Sequence, residues 1–442
     1  MITTPMTALH IAALSLLLMG LAAPWQQVLG EETDAEDNGL IIEVELETTV
    51  EHERNLDLLN SEDGNLTVQE TEFVVGIEYE PNDNFAAEVV LVLGHENILR
   101  DPLGEERNVT TFEVEEALLA FNNILTDGFF VELGRLQFRD DRMWLYDRFL
   151  DAVMVGYEPN DQLKIELAAG REFAADTDLI NHTPTDSFFN YTATFEYAFS
   201  DLMVLGTYYI ERKHVDDNQL NPKHLGLRLS GERNLSRYWV TAGRNLGRED
   251  EQSLRGYGFD VGGTYHFGGE WNPSVTLGVT WGSGDSDPDD NRDRAFRQTG
   301  LQKNESRLGG LPRVKHYGLV FDPEISNLAI YTAGFGLRKQ GRTSLDVVYH
   351  NYRVLEEAEE LRDAGVDADL SFGAGHKDLG EEIDLVFTRF GFGRLTNLGM
   401  ELKVGYFRPG RAFASNTRDS AAFFSLGLAY AFGKDPEELF TR

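Results

Sequence analysis

The sequence predicts an all-β protein: a single transmembrane antiparallel β-barrel of about 18 strands, with short turns at one end and long loops at the other. Three observations predict it. Short runs of alternating apolar and polar residues recur from residue 40 to the end of the chain, the period of a strand with two unlike faces. The intervals between the runs alternate short and long, as periplasmic turns and extracellular loops do. Beyond the N-terminal segment no apolar run approaches the ~20 residues of a spanning helix, so a membrane location requires strands.

The chain opens with HIAALSLLLMGLAA, an apolar core in which Gly20, Leu21 and Ala22 offer small residues for cleavage. Residues 1–30 are expected to be a signal peptide, cut there or later near Gly30. An N-terminal anchor is the alternative, but the run is short for a span.

The barrel is expected over residues 31–432. Its first strand, 40–50, sets Ile42, Val44 and Leu46 against Glu43, Glu45 and Glu47. Strands 71–80 and 85–94 follow, joined through Glu80–Asp83, which spells EPND. Strands 111–121 and 129–138 come next, then 149–157 and 162–171, joined through a second EPND at Glu158–Asp161. Proline followed by Asn and Asp favours a tight turn. In 162–171, Leu163, Ile165 and Leu167 lie opposite Lys164 and Glu166. Strands 188–199 and 202–212 form the next hairpin, and 223–231 and 237–245 the one after, with Leu225, Leu227 and Leu229 opposite Arg228. The remaining strands are 255–267, 273–283, 328–338, 344–354, 380–389, 398–407 and 421–432. The long connections are 51–70, 95–110, 139–148, 172–187, 213–222, 246–254, 284–327, 355–379 and 408–420. RVKHYGLV, 313–320, has strand character, but a further strand would move 355–379 to the turn end, so it is assigned to the loop 284–327. The last strand puts Ala422, Phe424, Leu426, Leu428, Tyr430 and Phe432 on one face, the aromatic ending that barrel assembly machinery reads. Residues 433–442 are expected to be a short periplasmic tail.

A soluble sandwich also alternates, so periodicity alone does not choose the solvent; the strand number and connection lengths do. The formal net charge of −36 excludes nucleic acid as a partner. Outer-membrane lipid and lipopolysaccharide are expected partners instead. Cysteine is absent, which leaves backbone pairing and packing to hold the fold. His182, His214, His224, His266, His316, His350 and His376 are scattered, and neither G-x-S-x-G nor H-E-x-x-H occurs. No enzyme activity and no cofactor are expected.

One stretch carries unusual chemistry. GRLQFRDDRMWLYDRFLDA, residues 134–152, gathers Arg135, Arg139, Arg142 and Arg148 among Asp140, Asp141, Asp147 and Asp151. Its Gly134-Arg135, Arg139-Asp140-Asp141, Tyr146-Asp147 and Asp151-Ala152 resemble the alginate export family of outer-membrane porins. So do Arg297-Gln298-Thr299-Gly300-Leu301, Asn304 and Arg307, then HYG at 316–318 and SLDVVYHNYR at 344–353. The matches spread over most of residues 120–354. The resemblance implies a barrel in the bacterial outer membrane that passively passes an anionic polysaccharide such as alginate.

The physical reading agrees. A polyuronate carries a carboxylate on each sugar, and a conduit for it needs cations that hold weakly and hand on. Arginine binds carboxylates through a planar fork and keeps its charge. The expected lumen path is therefore Arg135, Arg139, Arg142 and Arg148 with Asp140, Asp141 and Asp147, extended by Lys164, Arg228 and Lys403. Arg171 and Arg244 lie on or near the same faces, and Trp144 and Tyr146 would slide along sugar rings. The resemblance supports Arg135 and Arg139 best. The competing reading is that these arginines pair with lumen acids to brace the wall. Arg297, Gln298 and Arg307 form a possible loop gate, since 284–327 is long enough to fold inward. Asp285, Asp287 and Asp289, with Asp290 and Asp293, offer a weak calcium site without EF-hand order; a solvated loop is favoured. A barrel this acidic repels a polyanion at long range. Two alternatives therefore stand: a general small-solute porin, and a non-conducting structural or adhesive surface barrel.

Overall fold

The computed structural model describes residues 39–440 apart from 60–63, 102–106, 173–174, 176, 182–187, 201, 218, 250–251, 288, 340, 358–360, 368–369, 372–374 and 434–438. The expected signal peptide lies outside the described residues. Eighteen antiparallel strands form one closed sheet. They are β1 (Leu40–Arg54), β2 (Leu66–Asn82), β3 (Phe85–Arg100), β4 (Arg107–Asn122), β5 (Phe129–Arg139), β6 (Asp147–Asn160), β7 (Leu163–Arg171), β8 (Phe188–Ser200) and β9 (Met203–His214). The second half is β10 (Lys223–Arg233), β11 (Ser236–Leu246), β12 (Tyr257–His266), β13 (Ser274–Gly282), β14 (Leu328–Lys339), β15 (Thr343–Val354), β16 (Asp378–Phe392), β17 (Leu395–Pro409) and β18 (Ala421–Phe432). Each strand pairs with its neighbours in sequence. Leu46 of β1 faces Phe73 of β2 and Tyr430 of β18, so the sheet has no free edge.

Several strands outrun their apolar patterns. β1 continues to Arg54 and β2 begins at Leu66. The ladder rises beyond hydrocarbon, where alternation no longer marks it. The two EPND segments are also strand ends rather than loops. At both, a register shift between the tyrosine and the asparagine places proline where no ladder donor is required. The Glu80 amide donates to Gly39 O and the Glu158 amide to Gly128 O, at 2.6 and 2.7 Å. Gly39 and Gly128 both have positive φ, and a Cβ would sit 1.9 and 2.3 Å from those glutamate carbonyl oxygens. The repeated tetrapeptide therefore marks a repeated hairpin foot.

The two faces are inverted relative to a soluble protein. Ile42, Phe73, Leu167, Leu227, Leu277 and Phe335 point out and are exposed. Glu45, Asp260, Asp346, Glu382 and Asp384 point in and are buried. Aromatics such as Tyr265, Phe267 and Trp271 ring the short-turn end, and Tyr191, Tyr257 and Tyr349 the long-loop end, the girdles of a membrane barrel.

The inward acids are buried because residues 296–325 fill the lumen. RVKHYGLV belongs to this segment: Val314–Lys315 pairs only with Glu305–Ser306 of the same loop. The loop runs the full depth of the barrel. The Leu311 amide donates to Ser344 Oγ at 3.1 Å, beside the short turn before β15. Leu311 packs there with Phe390, Ala429, Ala431 and Leu439. Leu439 and Phe440 thus lie in the short-turn mouth. They sit over Gly399 and Gly427, where added Cβ atoms would come 2.9 and 3.0 Å from these side chains.

Candidate lumen path

The arginine-rich stretch is built by a hairpin that leaves the wall. β5 pairs with β4 only up to Arg135 opposite Ala117. β6 pairs with β7 only from Asp151 opposite Arg171. Between these points, Leu136–Arg139 and Asp147–Leu150 pair with each other and with no other wall strand. Gly134 makes the departure possible, with φ 126° and its Cβ position 2.1 Å from Ala117 O. The vacated edge of β4 is taken by the β7–β8 connection. The Val114 amide donates to Thr177 O at 2.9 Å and the Leu179 amide to Phe112 O at 2.7 Å. The hairpin tip enters the lumen, where Leu136, Met143, Trp144, Leu145 and Leu150 are buried.

This geometry divides the expected path residues. Arg135 forks onto Asp151 at 2.7 and 3.0 Å and donates to Val114 O and Ala175 O. It shares the outward side of β5 with exposed Leu133. Its expected place in the lumen is therefore corrected: it pins the seam where the hairpin departs. Arg171 and Arg244 also carry outward parity, with Leu167 and Ala242. A strand end reaches the lipid headgroups, where an outward charge is tolerated, so polarity there does not identify the lumen face.

The other arginines meet carboxylates inside. Arg139 Nε lies 2.5 Å from Asp147, which Lys303 also reaches at 3.0 Å. Arg142 donates to Asp260 at 2.8 and 3.1 Å and to Ser306 Oγ at 3.1 Å, with its guanidinium 4.0 Å from the Trp239 ring. Asp260 also accepts from Trp239 Nε1 and Thr280 Oγ1. Asp140 accepts the Leu145 and Tyr146 amides and faces Arg228 at 3.3 Å; Arg228 also pairs with Glu196. Arg148 reaches Glu172 at 3.5 Å, Lys164 meets Glu166 at 2.8 Å and Lys403 meets Glu401 at 2.6 Å. Trp144 stacks on Phe296 at 5.6 Å and is 2% exposed, so it presents no face to a sugar. Tyr146 is buried as well.

Two lumen cavities remain beside the plug. One, of about 380 Å³, is lined by Asp140, Asp141, Arg142, Glu196, Arg228, Glu232, Arg237, Tyr238 and Trp239. The other, of about 230 Å³, is lined by Glu43, Glu45, Glu88, Glu115, Glu116, Gln137, Arg139 and Lys303. Arg237 and Lys303 escaped the sequence reading. Arg237, Trp239 and Thr241 alternate against Tyr238, Val240 and Ala242, so the period was present for Arg237. Nothing in the sequence marks Lys303 as facing Asp147.

The expected gate residues anchor the plug. Arg297 pairs with Glu249 and Asp293. Gln298 donates to Trp144 O and Asn304 and accepts the Ile325 amide. The Arg307 carbonyl accepts from Arg237 at 3.3 Å. Glu324 accepts the Gln298 amide at 2.9 Å, and burial lifts its carboxyl to about 7. Glu382 and Asp384, unsuspected from sequence, accept the amides of Val320, Phe321 and Leu319. In the acidic loop Arg294 reaches Asp285 at 3.2 Å and Asp290 at 2.6 Å, and among the described residues no group of three or more acidic or histidine side chains is placed to hold a metal ion.

Comparison with known proteins gives a consistent result. The Pseudomonas aeruginosa outer-membrane protein OccK5 (OpdH) superposes with a TM-score of 0.59 at 10% identity, covering 89% of this chain and 98% of that one. OprD of the same organism gives 0.54 at 11% identity, covering 89% and 94%. These likenesses show the fold, an outer-membrane barrel. The alginate production protein AlgE of Azotobacter vinelandii is 31% identical over 173 residues, 35% of this chain and 35% of the relative. AlgE of Pseudomonas aeruginosa is 30% identical over 204 residues, 43% of this chain and 40% of the relative. The matched segments thus span well under half the length of these relatives. Residues 39–425 match the family described as alginate export, and the chain, a barrel of the bacterial outer membrane, belongs to that family.

Proposed function

We propose that this barrel passively conducts an anionic polysaccharide, alginate-like in its regular carboxylates, or a related acidic solute. The carrying observation is the larger lumen cavity, which Arg228 and Arg237 line with Asp140, Asp141, Glu196 and Glu232 interleaved. Arginine forks would hold uronate carboxylates, and the neighbouring acids would weaken each hold so that the polymer moves on. The plug, residues 296–325, has to shift for a polymer to pass.

A second reading, a general small-solute porin, is favoured by the smaller cavity with its five glutamates, which suits cations. Planar-bilayer recordings separate the two. Anion-selective current blocked by oligouronates, with the block lost in Arg228→Glu/Arg237→Glu, supports the polyanion conduit. Cation-selective current without block supports the porin, and a silent bilayer supports a structural or adhesive barrel.

A further inference from the structure

We propose that the outward face of β7–β11, at its extracellular end, binds one lipopolysaccharide molecule, its phosphates on a cationic arc and an acyl chain in a crevice beside it. Four outward cations lie at neighbouring strand ends. Arg171 of β7 is opposite Phe189 of β8, and Phe189 is opposite Lys213 of β9. Lys223 opens β10, and Arg244 of β11 lies opposite Leu225. With strands ~4.8 Å apart, the arc spans about 19 Å from β7 to β11. The Arg171 guanidinium lies 5.4 Å from the Phe189 ring. Lys213 and Arg244 are exposed. Two acids adjoin the arc: Glu211 is held by Lys223 at 2.9 Å and by the Tyr209 hydroxyl at 2.7 Å, and Asp151, opposite Arg171, is held by Arg135.

The crevice exists because the β5–β6 hairpin leaves the wall. Its volume is about 630 Å³, and Ala117, Leu133, Val153, Ala169, Gly170 and Phe189 line it. At its edge Arg135 and Asp151 are closed on each other, leaving a surface of methyl groups and glycines. Phe189 belongs to both crevice and arc, so the two features adjoin. A chain with a net charge of −36 that places four cations toward the membrane calls for an anionic partner there. At the long-loop end of an outer-membrane barrel, the phosphorylated lipid of that leaflet supplies the anions and the acyl chain together. The site depends on the outer-membrane location and not on what the lumen conducts.

The test uses full-length barrel purified without lipopolysaccharide, with native mass spectrometry and thermal unfolding as readouts. Bisphosphorylated lipid A should be retained at one molecule per barrel and raise the unfolding temperature. Lys213→Glu/Arg244→Glu, two exposed changes, should lower retention at least tenfold and leave single-channel conductance unchanged. Ala169→Trp should fill the crevice and reduce retention while the cations remain. Equal retention by wild type and the charge-reversed variant would overturn the site. Equal retention of dephosphorylated lipid A would overturn the phosphate assignment, and full competition by inorganic phosphate would reduce the site to a phosphate site without lipid.

Discussion

Arg142→Met tests how the plug is tied to the wall. Arg142 and Asp260 are both buried, and the pair makes two hydrogen bonds of 2.8 and 3.1 Å. Removing one partner of such a pair costs about 3–5 kcal/mol, because the other charge remains buried and unpaired. The third donor bond, to Ser306, ties the hairpin tip to the plug at 3.1 Å. Since 1.36 kcal/mol is tenfold, the detached plug should become about 10²–10⁴ times more populated. The wall ladders involve neither side chain, so the barrel should stay folded. Hydrogen exchange read by mass spectrometry should show residues 304–316 exchanging faster by that factor, with β1–β4 unchanged. Arg142→Met/Asp260→Asn, which leaves no lone charge, should recover most of the protection. If exchange across 304–316 in Arg142→Met stays within about threefold of wild type, the pair does not hold the plug and the reasoning fails.

Three further outcomes follow from the same architecture. Leu439→Ala removes a side chain that is 1% exposed from the cluster around Leu311 and Phe390; it should cost the plug's lower attachment about 2–4 kcal/mol, read as faster exchange at residues 308–312 and more frequent channel openings. Glu324 has its carboxyl raised from 4.5 to about 7 by burial. The folded plug therefore binds this proton more tightly than the released one, and the Glu324 contribution to its stability is fully present below pH 4.5 and is lost as pH rises through 7, by on the order of 3 kcal/mol. Glu324→Gln should flatten the pH dependence of plug exchange between pH 5 and 8; an unchanged slope would refute the assignment. Gly134→Val places a Cβ 2.1 Å from Ala117 O at a φ of 126°, and should sharply lower the yield of heat-modifiable, folded barrel on gels, whereas Gly76→Ala, whose Cβ would meet Glu43 Cβ at an ordinary 3.7 Å, should have little effect.

The wall was readable in the sequence because lipid imposes a rule on every strand: one face must be apolar. β10 is an instance, with Leu225 and Leu227 outward and Arg228 inward. The rule stops at the headgroups, which is why Arg171 and Arg244 pointed out against expectation. It also stops at Gly134, where the hairpin leaves the sheet and Arg135 passes to the seam. The interior obeys no period. The ties of Glu382 to Val320 and of Arg142 to Asp260 join residues 62 and 118 apart in sequence, and no local pattern encodes such distances. For the same reason the sequence located the arginine cluster, yet left open which of its members meet solvent and which meet aspartate.

The seam at β4 has a consequence for how the molecule is made. Eighteen strands could zip shut in order, each using only the one before it, except at this point. There the edge of β4 pairs with a stretch of chain some 60 residues later, while the intervening hairpin lies inside. Closing the wall at this one place on the circumference therefore needs that later segment as well as the next strand. A late or missed step there would strand an unpaired edge in the bilayer, long before any cargo is involved.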